Sequence, residues 1–165
     1  VNTPAMALEL PGMGLQYAFS SRDNRGAYLD GLKTCKVIIP GNPPAQRFWS
    51  FVVYDPQTRS MLQSKEMPNS SKNNKRNHEM YKNAYGSIDL YLGPVVSTGK
   101  EANWVKTVLG KGWFGIFRLY SPGQEWFDHT WKLGAIEQIC CCSWRPLWGD
   151  LLTGGRRTFS FSACQ

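Results

Sequence analysis

Short alternating segments of apolar and polar residues, separated by glycine and proline, constrain the fold of this chain more than any other feature. The clearest segment runs from Arg47 to Tyr54. It is rich in β-branched and aromatic residues, and Asp55-Pro56 ends it. Similar segments lie at 15–19, 27–29, 33–39, 87–94, 103–108 and 113–120, with a shorter one at 59–63. Seven or eight short strands spaced by turns are typical of an antiparallel β-sandwich or barrel.

Two turn motifs add detail to these strands. Asp30-Gly31 lies between two alternating segments, which favours a β-hairpin because a tight hairpin turn needs positive φ at its central residues. Ser121-Pro122 precedes Glu125 and a stripe of aromatic residues. This pattern predicts a short helix, capped by Ser121, near the C-terminal end of the sandwich.

The domain organisation follows from changes in composition along the 165 residues, which suit one domain of ordinary size. We interpret residues 1–14 as a lead-in segment, 15–139 as the β-sandwich domain and 140–165 as an atypical tail rich in Cys, Trp and Arg. Residues 65–82 are polar and almost free of apolar side chains, so we expect a mobile loop there. The chain starts at Val1 without a charged-then-apolar leader, which favours a fragment or a processed form.

The net charge of +7 raises the question of a nucleic-acid partner. Residues 65–82 contain five Lys or Arg against two Asp or Glu, and residues 140–165 contain three against one, so most of the excess lies outside the predicted strands. Phosphate binding requires cations gathered on one ordered surface, so a nucleic-acid partner is disfavoured. No apolar run approaches the roughly 18 residues of a membrane-spanning helix.

Cysteine and histidine give no sign of a metal or a cofactor. Cys35 lies in a strand pattern and is expected in the core, whereas Cys140–Cys142 and Cys164 belong to the tail. His78 lies in the polar loop and His129 follows an aromatic turn, so neither has a second ligand at metal-binding spacing. No nucleophile elbow or phosphate-binding glycine loop is present. We therefore expect no cofactor and no metal, and favour a protein that is not an enzyme.

Several ordered sequence blocks resemble a known family. They are FWSFVVYD (48–55), TRSM (58–61), GSIDLYLGP (86–94), EANW (101–104), GKGWF (110–114) and FRLY (117–120). Over roughly residues 12–139 they resemble the domain-of-unknown-function family numbered 1214. The resemblance implies a jelly-roll-like sandwich, usually behind a partner domain of the family numbered 1254 in an exported bacterial or similar protein. It supplies no catalytic residue.

The strand from Trp113 to Tyr120 contains the most informative charge. Both of its alternating faces are apolar, so we expect both to be covered and Arg118 to be paired, because an unpaired buried charge costs several kcal/mol. Asp55 and Asp89, at the ends of aromatic segments, are the candidate partners. The pairing is either structural or a guanidinium held ready for a carboxylate- or sulfate-bearing ligand.

Aromatic residues make up 13% of the chain, and most are expected in the core. Trp104 and Tyr54 lie at strand ends, where an exposed ring could stack on a sugar. The tentative ligand site is therefore Arg118, Asp55, Arg59, Asp89, Trp104 and Tyr54.

Three functions remain open at this point. The preferred one is a non-catalytic binding or assembly module that binds a glycan or other polar ligand, docks a partner domain or forms a homo-oligomer. The second is an enzyme with a polar pocket around Arg118 that a missing N-terminal domain completes. The third is a virus-like structural component, because jelly rolls tile well.

Overall fold

Two four-stranded sheets form the described part of the chain, in a computed structural model that covers residues 10–63, 71–75, 77, 79–96 and 98–139. The strands are β1 (Leu15–Ser20), β2 (Cys35–Ile39), β3 (Ala45–Tyr54), β4 (Ser71–Asn73), β5 (Ile88–Gly93), β6 (Trp104–Lys106), β7 (Phe114–Pro122) and β8 (Ile136–Gln138). A four-residue helix, α1 (Gln124–Phe127), follows β7, and one 3-10 turn (Glu101–Asn103) precedes β6.

The first sheet has the strand order β1-β7-β3-β4, and the second has the order β6-β5-β2-β8. Neighbouring strands run antiparallel except for β5 and β6, which are parallel. The predicted all-β sandwich with a short helix near its C-terminal end is confirmed. A jelly-roll strand order and the division into three segments stay predictions.

The core lies between the two sheets and is built by alternation along each strand. In β7, the side chains of Phe117 and Leu119 are fully buried, while their neighbours are only half-buried. The second sheet contributes buried aliphatic residues in the same way, among them Val37 and Leu90. Burying one such side chain contributes roughly 1.5–3 kcal/mol, so these alternating positions provide most of the stability of the sandwich.

The Asp30-Gly31 turn is present, but the predicted hairpin around it is wrong. Asp30 accepts a hydrogen bond from the Lys33 amide at 3.1 Å, which closes a local turn. Asp30 bridges to Gly112, and β2 pairs with β5 and β8 instead of with the segment before the turn. Turn chemistry therefore determines the local bend, whereas the burial of Leu29 and the distant strands determine which segments pair.

Two further expectations need correction. Ser121 does not cap α1: it belongs to β7, and Gly123 is the N-cap residue. The polar stretch 65–82 is not simply a loop, because its described part contains β4, which pairs with β3. Pairing with a buried strand compensates for the poor apolar content of β4. The expectations for 1–9, 64–70, His78 and the 140–165 tail, with Cys140–Cys142 and Cys164, lie outside the described residues.

Candidate functional site

The outward side of the first sheet is apolar and aromatic, although the outward side of a β-sandwich is ordinarily polar. In antiparallel pairs, residues in register lie on the same face. The register of β1 and β3 on β7 therefore brings one set of side chains together, which we call the aromatic face: Leu15, Tyr17, Phe19, Phe48, Ser50, Val52, Tyr54, Phe114, Ile116, Arg118 and Tyr120. This set includes six aromatic rings and a single charged residue.

Ring contacts tie the three strands of this face together. Phe114 lies between Phe19 of β1 and Tyr54 of β3, with ring centroids 5.2 and 5.3 Å apart. Phe48 stacks on Tyr120 at 3.8 Å. Aromatic pairs contribute about 0.5–1.5 kcal/mol beyond the area they bury, so these contacts help to hold the face in a fixed shape.

Arg118 lies in the middle of the aromatic face. Its guanidinium donates a hydrogen bond to the hydroxyl of Tyr54 and lies 5.5 and 5.9 Å from the ring centroids of Tyr54 and Tyr17. The side chain is half-buried. The sequence correctly predicts the two alternating faces of β7, but the face with Arg118 is half-buried and not fully buried.

The expected ion pair of Arg118 with Asp55 or Asp89 is also absent. Asp55 binds Lys111, with Nζ and Oδ2 3.0 Å apart, and Asp89 lies 3.8 Å from Lys36 on the second sheet. The rings of Tyr17 and Tyr54 lie within cation–π distance of the guanidinium and stabilise its charge.

Asp55 organises the turn that ends β3. Its Oδ1 accepts hydrogen bonds from the amides of Gln57 and Thr58 at 2.8 and 3.3 Å, and the Arg59 amide donates to its backbone carbonyl. The hydrogen bond from Lys111, followed by the one from the Gln57 amide, lowers the pKa of the Asp55 carboxyl. Arg59 is exposed and has a φ of 57° within this turn.

The other two residues of the tentative ligand site lie on the second sheet. Asp89 is on β5, and Trp104 is on β6, where it pairs with Tyr91. Trp104 is half-buried and its indole nitrogen is buried without a hydrogen-bond partner, so it is not the exposed ring that the sequence suggests. The structure thus brings Arg118 and Tyr54 together, places Asp55 and Arg59 in the adjoining turn, and separates Asp89 and Trp104 from them.

The two outer surfaces of the sandwich differ in character. The outward positions of the second sheet include Lys36, Asp89, Lys106 and Glu137, so this surface is charged in the ordinary way. The aromatic face contains no Lys, Asp or Glu, and Phe19 leaves 63% of its surface exposed. Leu15 is 37% exposed, the other rings and Arg118 are half-buried, and Ser50 and Val52 are buried.

The chemistry available in the described residues is limited. No group of three or more His, Cys, Asp or Glu there lies close enough to hold a metal ion. Burial raises the pKa of the Cys35 thiol to about 11, which leaves it protonated and unreactive at neutral pH. Within the same residues no helix is long and apolar enough to cross a membrane.

Sequence reasoning missed most of the aromatic face, including Tyr17, Phe19, Phe48 and Phe114. The signal was available, because two neighbouring segments, 47–54 and 113–120, are apolar on both alternating faces. A central strand that is apolar on both faces is typical of a sheet with a packed layer on each side, and the second sheet is one such layer.

Comparison with known families identifies one match. The sequence profile described as "Protein of unknown function (DUF1214)" matches residues 14–124. No curated protein matches the chain.

Two solved structures align with most of the chain. The VPA0106 protein from Vibrio parahaemolyticus is 20% identical, with a TM-score of 0.66 over 80% of this chain and 32% of that protein. A putative uncharacterized protein from Burkholderia cenocepacia is 18% identical, with a TM-score of 0.46 over 81% of this chain and 37% of that one. The chain therefore spans about a third of the length of each of these proteins.

Proposed function

The chain belongs to the DUF1214 family, and we propose that it works as a non-catalytic docking module whose aromatic face binds a protein surface. The proposed partner is a second domain of a longer polypeptide. The observation that supports this most strongly is the apolar, aromatic face of the first sheet, on which Phe19 is 63% and Leu15 37% exposed.

The composition of the aromatic face fits a protein partner better than a ligand rich in hydroxyl groups. Protein interfaces are enriched in Tyr, Phe and Arg at their centre and depleted in Lys, Glu and Asp, as this face is. Binding energy concentrates on such aromatic and arginine residues. A glycan would require many hydrogen-bonding groups, whereas here Arg118, Ser50 and the tyrosine hydroxyls are the polar ones.

The length of the related solved structure supports a partner within the same polypeptide. The chain matches the VPA0106 protein over 80% of its own length but only 32% of that protein's length. About two thirds of that protein lies outside the match and could cover a sheet face. An enzyme pocket formed by Arg118, Asp55, Arg59 and Asp89 has less support, because Asp89 lies on the opposite sheet.

The test is a binding titration between this chain and the domain encoded next to it in the same gene, followed by calorimetry. The variants are Phe19→Ser and Arg118→Met, both on the aromatic face. The matched controls are Tyr85→Ser and Leu109→Ser, whose wild-type side chains are 95% and 61% exposed elsewhere. We expect each face variant to weaken binding about tenfold or more, and each control to bind like the wild type.

Three outcomes would reject the proposal: no binding by the wild type, equal affinity of face and control variants, or a homodimer. Sedimentation velocity on the chain alone detects the last of these. A dimer that Phe19→Ser dissociates would assign the face to a second copy of the chain instead of to a partner domain.

A further inference from the structure

We infer that a polar cleft on the opposite side of the sandwich binds a neutral oligosaccharide. The cleft has a volume of about 150 Å³ and lies beside β5, away from the aromatic face. The side chains that matter for this inference are Tyr81, Asn83, Asp89, Tyr91, Lys100 and Asn103. The inference does not depend on the docking function, because the two surfaces share no residue.

Buried Asn103 builds the floor of this cleft. Its Oδ1 accepts a hydrogen bond from the Tyr81 amide at 2.8 Å, and its Nδ2 donates to the carbonyls of Tyr81 and Asp89 at 2.9 and 3.0 Å. The side-chain amide of Asn103 therefore holds the backbone at Tyr81 and at Asp89 in a fixed position relative to β6. Because these bonds involve the backbone of Tyr81, the side chain of Tyr81 is not needed to keep the cleft in place.

The rim offers both hydrogen-bond donors and acceptors. Asn83 donates to an oxygen of Asp89 at 3.0 Å, and the Lys36 ammonium lies 3.8 Å from the other oxygen. The Lys100 ammonium lies 5.3 Å from the centroid of the Tyr91 ring. Convergent amide, carboxylate and ammonium groups at one cleft suit a ligand with many hydroxyl groups, since each hydroxyl both donates and accepts.

Tyr81 provides the apolar surface that a sugar ring needs. It lines the cleft, is 67% exposed, and also lines a second, larger groove of about 570 Å³. Lys72, Asn77, Glu79 and Glu101 provide polar groups of that groove. Because Tyr81 lines both depressions, a chain of two or more sugars that occupies both would contact its ring.

Charge distinguishes a neutral sugar from an anion. Among the described lining residues of the two depressions, the carboxylates of Glu79, Glu101 and Asp89 outnumber the ammonium groups of Lys72 and Lys100. Lys36 already neutralises Asp89 from the neighbouring strand. Together with Lys36, these described groups include no excess of cations, which a sulfated or phosphorylated ligand would require.

The experiment titrates the full chain with cellohexaose, mannohexaose and chitohexaose, and with a sulfated heparin hexasaccharide for comparison. Binding is followed by calorimetry and by chemical-shift changes of backbone amides. We expect at least one neutral hexasaccharide to bind and to shift the amides of Gly99, Lys100 and Tyr81. Tyr81→Ala is expected to weaken this binding about tenfold, while Tyr85→Ala, a matched change at a 95% exposed tyrosine outside the cleft, leaves it unchanged.

Lys100→Met is a second variant at an exposed position, which keeps the test valid if Tyr81→Ala proves unstable. The inference is overturned if no neutral hexasaccharide binds, if only the sulfated one binds, or if Tyr81→Ala and Tyr85→Ala have the same affinity. Because the docking variants Phe19→Ser and Arg118→Met lie on the other sheet, their failure and this one are distinguishable.

Discussion

The guanidinium of Arg118 on β7 donates a hydrogen bond to the hydroxyl of Tyr54 on β3 and lies 5.5 Å from the centroid of its ring. This contact places the only charge of the aromatic face among rings instead of beside a carboxylate. A guanidinium has five N–H donors in a planar arrangement, which suits Arg118 to donate to an acceptor on a partner.

Replacing this arginine tests whether its role is structural. We expect Arg118→Met to change the free energy of unfolding by less than about 1 kcal/mol. The wild-type guanidinium is only half-buried in the folded state, and methionine retains much of the apolar stem. Urea denaturation measures the change. A loss of about 3 kcal/mol or more would show that the charge is part of a buried pair and would contradict the structure.

The core between the sheets is tested at Phe117. Its side chain is fully buried beside Trp49 and Trp131, with ring centroids 5.6 and 5.8 Å away. We expect Phe117→Ala to destabilise the fold by about 3–5 kcal/mol through lost burial and the cavity it leaves. Leu109→Ala, at a 61% exposed position, serves as the control and should stay within about 0.5 kcal/mol. Similar thermal unfolding of the two variants would refute the assigned core.

Gly115 tests the close packing of β7 on β3. A Cβ atom at this position would lie 2.7 Å from the ring of Phe51, which is itself buried and cannot move aside. We expect Gly115→Ala to cost about 1–3 kcal/mol in chemical denaturation. Gly112→Ala is the matched control, since a Cβ there meets its nearest atom at 3.5 Å, and the substitution should change stability by less than about 1 kcal/mol. If Gly115→Ala is as stable as the control, the close contact between Gly115 and the ring of Phe51 is contradicted.

The acid stability of the chain depends partly on Asp55. Its pKa is lowered, mainly by the hydrogen bond from Lys111, so its ionised form stabilises the folded state at neutral pH. That contribution disappears as the pH falls below about 4 and through the lowered pKa, because protonation removes the contact. We expect Asp55→Asn and Lys111→Met each to reduce stability at neutral pH and to lessen its decline in acid. Thermal unfolding measures the melting temperature at each pH. If the melting temperatures of both variants fell from neutral to acidic pH as much as that of the wild type, the prediction would be contradicted.

Six of the strands (β1, β2, β3, β5, β6 and β7) and the division of β7 into two faces could be predicted from the sequence, because alternation indicates which side chains are buried. The sequence did not predict β4 or β8, and the predicted segments 27–29 and 59–63 form only isolated bridges in the described structure. Alternation does not report what covers a face. Both faces of the segment 113–120 are apolar, and the sequence therefore suggested a buried Arg118 with a carboxylate partner. In the structure, one face is fully buried and the other, with Arg118, is half-buried.

Features that depend on distant segments could not be predicted. Asp30-Gly31 forms its turn, yet the strand that follows pairs with β5 and β8, and nothing local to the turn specifies those partners. The cleft beside β5 exists because Asn103 bonds to Tyr81, 22 residues earlier. Such a contact has no signature in a single sequence. Neither the residue types nor their spacing distinguish the two residues that form it from other polar residues.

The central claim, that a partner domain covers the aromatic face, is tested most directly by hydroxyl-radical footprinting of the chain with and without that domain. We expect Phe19 to be oxidised readily in the free chain and protected in the complex, while Tyr85 is oxidised equally in both. Equal oxidation of Phe19 in the two samples, or protection confined to Tyr85, would contradict the claim.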